Sequence, residues 1–189
     1  MHGLFNRAVQ CFLAGTYGEA LWASVAAEAG IDAEGFETLM VYEDAITSRM
    51  AAAAARQLGR PAEAILEDVG AYLASREPLR RLLRFGGGDY AEFLQSLDEL
   101  PDRAHLAVPD LSLPPLRLRS AGGWRFMLSC GTDPILTPVV AGVLRAMADD
   151  YGVLAVIEAA AEDGVAIELL DMRHAQGRAF ALAQPEMNG

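Results

Sequence analysis

Residues 97–118 read LDELPDRAHLAVPDLSLPPLRL, and the fold turns on what the proline at position 101 does there. Just upstream, Phe93, Leu94, Leu97 and Leu100 recur at helical spacing and lie on one side. Pro101 has no amide hydrogen to give the carbonyl of Leu97, four residues back, and its ring crowds the preceding turn. The helix is therefore expected to kink or restart at that point. Downstream, Pro109, Pro114 and Pro115 punctuate a loop that leads into the alternating run PPLRLRS. The stretch thus joins a helical region to a sheet region.

Toward the N-terminus the texture is helical throughout. Leu4, Phe5, Ala8, Val9, Phe12 and Leu13 form one apolar stripe on a helix expected to end near Gly15. YGEALWASVAAEAG repeats the pattern with Leu21, Trp22, Val25 and Ala26, and Gly30 is placed to cap it. A helix is predicted from about 43 to 58, with Gly59 as its stop and Pro61 as the first residue of the next. PAEAILEDVGAYLASR and EPLRRLLRF supply two more, the second starting near Pro78, and Gly86, Gly87 and Gly88 form a turn before the helix that opens the quoted stretch.

Toward the C-terminus the period shortens. PPLRLRS and GWRFMLSC alternate apolar residues and are joined at Ala121, Gly122 and Gly123, which predicts a hairpin. A helix follows from about 134 to 151, then two strands around Glu162, Asp163 and Gly164, and a last short strand in GRAFALA, residues 177–183. The predicted fold class is α+β, a single domain over 1–189 with a helical part at 1–85 and a mixed helix-and-sheet part at 86–189.

The chain has 15 basic residues, all arginine, against 26 acidic ones, for a net charge of -11. Phosphate contacts need clustered cations, so nucleic-acid and anionic-membrane partners are not expected. Cys11 and Cys130 stand far apart and suggest no disulfide framework, which fits a reducing cytoplasm. Arg7 interrupts the first apolar run, so MHGLFNRAVQCFLAG reads as a mature N-terminus, and no window is apolar for long enough to predict a membrane-spanning helix.

Catalytic signatures are absent. There is no GxSxG elbow and no HExxH, and His2, His105 and His174 are scattered. The glycine triplet lacks the GK[ST] ending of a phosphate loop. Acidic pairs such as Asp149 and Asp150 fall at element ends and read as solvated edges. Nothing in the sequence argues for an enzyme.

Several segments, in order and with similar spacing, resemble the haem nitric-oxide/oxygen-binding family, H-NOX. They are MHGLFNRAVQCFLAGTYGEALWASVAAEAG, GRPAEAILEDVGAYL, YAEFLQSLDEL, VPDLSLPPLRL and ILTPVVAGVLRAMADDYG. The resemblance implies a helical subdomain packed on a sheet-containing one with haem between them. In that family LDxL is followed by the histidine that binds iron, and a proline about a dozen residues later touches the porphyrin. Here LDEL is followed by Pro101, and the later proline corresponds to Pro115. The Y-x-S-x-R residues that hold the haem propionates fall on Leu128, Cys130 and Thr132, none of which matches.

Pro101, His105, Pro115, Leu128, Cys130 and Thr132 are accordingly the candidate cofactor-contacting residues. His105, four residues beyond Pro101, is the candidate metal ligand, displaced by about 6 Å along a continuous helix; the alternative is a partly exposed histidine. Cys130 is a soft potential ligand or a small buried hydrophobe. Arg117, Arg119 and Arg125 are candidate propionate partners or solvated strand residues, while Trp22 and Trp124 are expected to pack. Small residues at Gly70, Ala71 and Ala74 leave room for a cavity. The resemblance implies a sensor domain taking haem, another tetrapyrrole or a small apolar ligand, and signalling to a histidine kinase or a cyclic-dinucleotide enzyme. The competing reading is a ligand-free protein-interaction module of the same fold.

Overall fold

Apolar periodicity in the first half builds five helices: α1 (Gly3–Tyr17), α2 (Glu19–Ala29), α3 (Asp44–Leu58), α4 (Ala62–Ser75) and α5 (Glu77–Arg84). The computed structural model describes residues 3–108, 111, 113–131, 133–160 and 164–171. Helix α1 continues through Gly15 to Tyr17, because an exposed glycine within a helix costs only about 1 kcal/mol and packing downstream outweighs it. Gly30 ends α2 in the left-handed conformation, φ 69, and its amide reaches back to the carbonyls of Ala26 and Ala27. Pro61 stands one residue before its expected place, as the extended residue preceding α4.

Beyond the glycine turn come α6 (Tyr90–Gln95), a 3-10 turn (Ser96–Glu99) and α7 (Leu100–Ala107). Asp89 caps α6 by accepting the Glu92 amide at 2.9 Å, and the Glu92 carboxylate accepts the Gly88 amide at 2.8 Å. The helical stretch does restart at Pro101, which lies in the first turn of α7. There the missing amide hydrogen would have had no helical partner in any case. The preceding residues tighten to 3-10 geometry, and Asp98 in that turn accepts the Leu118 amide at 2.8 Å, tying the break to the sheet.

The sheet contains β1 (Arg117–Gly122), β2 (Arg125–Ser129), β3 (Leu154–Ala160) and β4 (Gly164–Asp171), all antiparallel in the order β1-β2-β4-β3. The hairpin turns at Gly123 and Trp124, later than the expected Ala121, Gly122 and Gly123. Helix α8 (Leu136–Tyr151) covers one face of the sheet. The strand expected in residues 177–183, and the turn residues Glu162 and Asp163, lie outside the described residues.

Two apolar cores form. One gathers Val9, Phe12, Leu13, Trp22, Val25, Met50, Ile65 and Val69 from α1–α4. The other gathers Leu83, Tyr90, Phe93, Leu94, Leu97, Leu116, Leu128, Cys130, Leu144, Tyr151 and the inward residues of β3 and β4. Between them Ala51 and Leu66 meet Ile135 and Val139, with Phe5 and Leu73 packed alongside.

Three sequence expectations are corrected by this packing. Gly70 leaves no cavity, since a β-carbon there would collide with the Val139 carbonyl, and Ala74 is buried in the second core. Trp22 does pack, its indole donating to the Ala33 carbonyl at 2.9 Å, whereas Trp124 sits at the hairpin turn and is 55% exposed. Asp150 is no solvated edge: its carboxylate accepts from Arg80 at 2.5 Å and faces Arg84 at 3.5 Å.

Candidate functional site

The candidate residues fall into two environments. Leu128 and Cys130 are fully buried in the second core, brought there by the strand alternation of β2, and Leu116 is buried in the same cluster. The Cys130 thiol shares a hydrogen bond of 3.4 Å with Thr137 at the start of α8. Pro101 is partly exposed in the first turn of α7, while His105, one helical turn on, and Pro115, just before β1, are exposed. Thr132 lies outside the described residues.

Haem held in the manner the resemblance implies needs an axial donor on iron and cationic hydrogen-bond donors for two propionates. At the positions the resemblance assigns to these roles, a proline offers no donor atom to iron, and a buried leucine and a thiol bonded to threonine offer no positive charge to propionates. His105 does not share the buried environment of Leu128 and Cys130. Among the described residues no three of His, Cys, Asp and Glu converge as a metal site. The residues present therefore do not fit a histidine-ligated haem with a charged propionate clamp.

The arginines of the hairpin are engaged or solvated. Arg125 pairs with Glu168 at 3.0 Å across β2 and β4, Arg117 stands 4.0 Å from Asp98, and Arg119 is exposed. The guanidinium that does enter the structure near α7 is Arg103, which donates to the Ser96 carbonyl at 3.0 Å and its hydroxyl at 3.1 Å. Its Nε is buried with no partner among the described residues. Sequence reading passed over it, although its place two residues beyond Pro101 on the same short helix was a usable signal.

Polar ties from α8 to its neighbours were also illegible in the sequence. Arg145 on α8 bonds Glu67 on α4 and donates to the Ile157 carbonyl of β3 at 2.5 Å. The Tyr90 hydroxyl donates to the Leu144 carbonyl at 2.9 Å, and the Tyr151 hydroxyl to the Gly87 carbonyl at 2.8 Å. Burial pushes both phenols above their usual range, with the Arg84 guanidinium opposing the shift at Tyr151. Arg84 also stacks over the Tyr151 ring, 4.1 Å from its centre.

Surface clefts among the described residues lie away from the candidate positions. One of about 610 Å³ lies where α4 and α8 end, lined by Ala74, Ser75, Arg80, Met147, Asp149 and Asp150 among others. Another, about 430 Å³, is lined by Arg7, Phe36, Glu37, Thr38 and Leu39. Neither touches a candidate residue. No helix of the described residues is long and apolar enough to cross a membrane.

Comparison with known proteins gives a consistent picture. The family model for Haem-NO-binding matches residues 2–159. The fold is shared with the Fe(II) unliganded H-NOX protein of K. algicida, at TM-score 0.75 and 12% identity, over 90% of this chain and 97% of that one. It is shared also with the S. oneidensis H-NOX protein in its Fe(II)NO state, at TM-score 0.71 and 16% identity over 90% and 100% of the two chains. An oxygen-binding H-NOX domain related to soluble guanylate cyclases aligns at TM-score 0.67 and 15% identity over 90% and 96%. At these identities the structures establish the fold and no more.

Proposed function

Because the chain belongs to the haem-NO-binding family, we propose that it is a non-enzymatic regulatory domain that keeps the family's scaffold but works without a histidine-ligated haem, passing its signal through contacts with a partner protein. The observation that carries this reading is the joint state of positions 101, 128 and 130. A proline stands where a donor atom is needed, and Leu128 and Cys130 are closed into one core with Phe93, Leu97 and Leu116. Inserting a porphyrin against that wall would break packed contacts, at a cost of several kcal/mol, without an iron bond or propionate pairing to offset it. A cytoplasmic histidine kinase or cyclic-dinucleotide enzyme is the partner class that the family suggests.

A second reading keeps a ligand, either another tetrapyrrole or a small apolar molecule. It is favoured by the separation of the two cores and by the thin seam of Phe5, Leu66, Leu73, Ile135 and Val139 between them, since α8 contributes both to the seam and to the second core and would feel an occupant of the seam.

Titration of the purified protein with ferrous haem, read by absorbance, tests the first reading. Weak, featureless association is expected. A sharp Soret band that shifts with nitric oxide and disappears in His105→Ala would overturn it and name the ligand. Mass spectrometry of small molecules extracted from the purified protein separates the two readings.

A further inference from the structure

The sheet has one face packed on α8 and one face open to solvent. Along β1, β2, β4 and β3 the register sets Arg119 opposite Met127, Met127 opposite Ala166, and Ala166 opposite Glu158, so these four residues form one row across the open face. The row runs from a cation on one edge strand to an anion on the other. A neighbouring row places Arg125 beside Glu168 and Glu168 beside Val156. Met127 is 37% exposed and Val156 41% exposed, which puts apolar surface between the charged margins.

We propose that this open face is where two copies of the chain meet, about a two-fold axis running along the strands between β2 and β4. Such an axis exchanges β1 with β3 and β2 with β4. Arg119 of each copy is then set over Glu158 of the other, and the contact is made twice by symmetry. At the centre of the row the same operation lays the large Met127 over the small Ala166, and in the next row it lays Arg125 over Glu168. The face is complementary to itself in charge and in size, as a face-to-face sheet pair about 10 Å apart requires. Arg119 and Glu158 have no ion-pair partner of their own among the described residues, whereas Arg125 already pairs with Glu168 at 3.0 Å. The two unpaired charges are the ones the axis brings together.

The size of the face sets the strength. Four strands of 5 to 8 residues, about 4.8 Å apart and rising about 3.3 Å per residue, span roughly 300–500 Å². That is about half of the ~800 Å² per partner of a standard interface, so a weak, concentration-dependent dimer follows. A net charge of -11 on each copy also opposes approach at low salt. Near physiological ionic strength, where screening acts over about 8 Å, the local pairs outlast the long-range repulsion.

The test is sedimentation velocity of the full chain from about 10 μM to about 1 mM at ~0.15 M salt. A rise of the weight-average mass toward twice 20.2 kDa is expected. Arg119→Glu and Glu158→Arg should each weaken association about tenfold, since each turns two attractions into two repulsions. The double variant R119E/E158R should recover most of the loss, and Met127→Asp should remain monomeric with unchanged far-ultraviolet circular dichroism. A wild-type chain monomeric over the whole range, single charge reversals without effect, or a double reversal that fails to recover would each overturn the proposal. Recovery by charge exchange separates the intermolecular pair from a folding defect, and sedimentation reads association apart from the haem titration that tests the proposed function.

Discussion

Gly70 on α4 and Gly142 on α8 let two helices approach backbone to backbone: a β-carbon on Gly70 would strike the Val139 carbonyl, and one on Gly142 would strike the Glu67 carbonyl. Each glycine thus clears the other helix one turn from its counterpart. Replacing either by alanine would gain up to about 1 kcal/mol of helix propensity, yet it must push the helices apart. Gly70→Ala and Gly142→Ala are each expected to lose about 2 kcal/mol or more in urea unfolding. A neutral or stabilised Gly70→Ala would mean that the two helices do not touch there.

That contact also shows where sequence reading stops. Gly70 and Ala74 look the same on paper whether small residues line a void or admit a neighbouring helix, and only the identity of the neighbour decides. Pro101 was legible because its effect is local: a missing amide hydrogen forces a restart whatever packs nearby, and α7 begins there. Gly30 and Gly59 likewise mark helix ends that the structure keeps. Asp150 was misread as solvated because its arginine partners lie some 70 positions earlier, on α5. The position of Trp124 depended on where a hairpin turned, a shift of two residues that moved the indole from strand to tip. Of the candidate site, a buried Cys130 and an exposed His105 stood among the alternatives the sequence left open, and packing decided between them; the burial of Leu128 and the exposure of Pro115 were not readable.

Restoring one residue should not restore the family's cofactor. In Pro101→His an imidazole returns to the first turn of α7, but Leu128 and Cys130 still give a propionate no cationic partner. The variant is expected to fold with a stability change within about 1 kcal/mol, because proline in a first helical turn replaces an amide that has no helical acceptor. Titrated with ferrous haem, it should show no Soret band that responds to nitric oxide. A stoichiometric, gas-sensitive spectrum from this single change would mean that the pocket wall opens far more readily than its packing implies.

Burial separates two large side chains of the hairpin, one in β2 and one at its turn. Leu128 has no exposed surface, so Leu128→Ala should open a cavity and cost about 2–5 kcal/mol. Trp124 is 55% exposed, and Trp124→Ala should stay within about 0.5 kcal/mol in the same urea titration at low protein concentration. Comparable losses at both positions would contradict the register of β1 and β2.

The alkaline limb of stability should carry the mark of Tyr90. The chain has no lysine and 5 tyrosines, so between about pH 9 and 11 the phenols dominate its titration, arginines staying charged throughout. Tyr90 is buried, its hydroxyl bonded to the Leu144 carbonyl at 2.9 Å, and burial raises its pKa above the ordinary value near 10. Below that value both states keep the proton and the full stability is present. As pH climbs past about 10 the unfolded chain releases the proton while the folded one holds it, so stability falls, by up to about 1.4 kcal/mol per pH unit for one group. Tyr151, shifted in the same direction by burial, adds to the slope. Tyr90→Phe should cost about 1 kcal/mol at pH 8 through the lost hydrogen bond, and should flatten the decline between pH 9.5 and 11. Urea midpoints of both proteins across that range measure the difference, and parallel declines would show that Tyr90 is not the buried phenol that sets the limb.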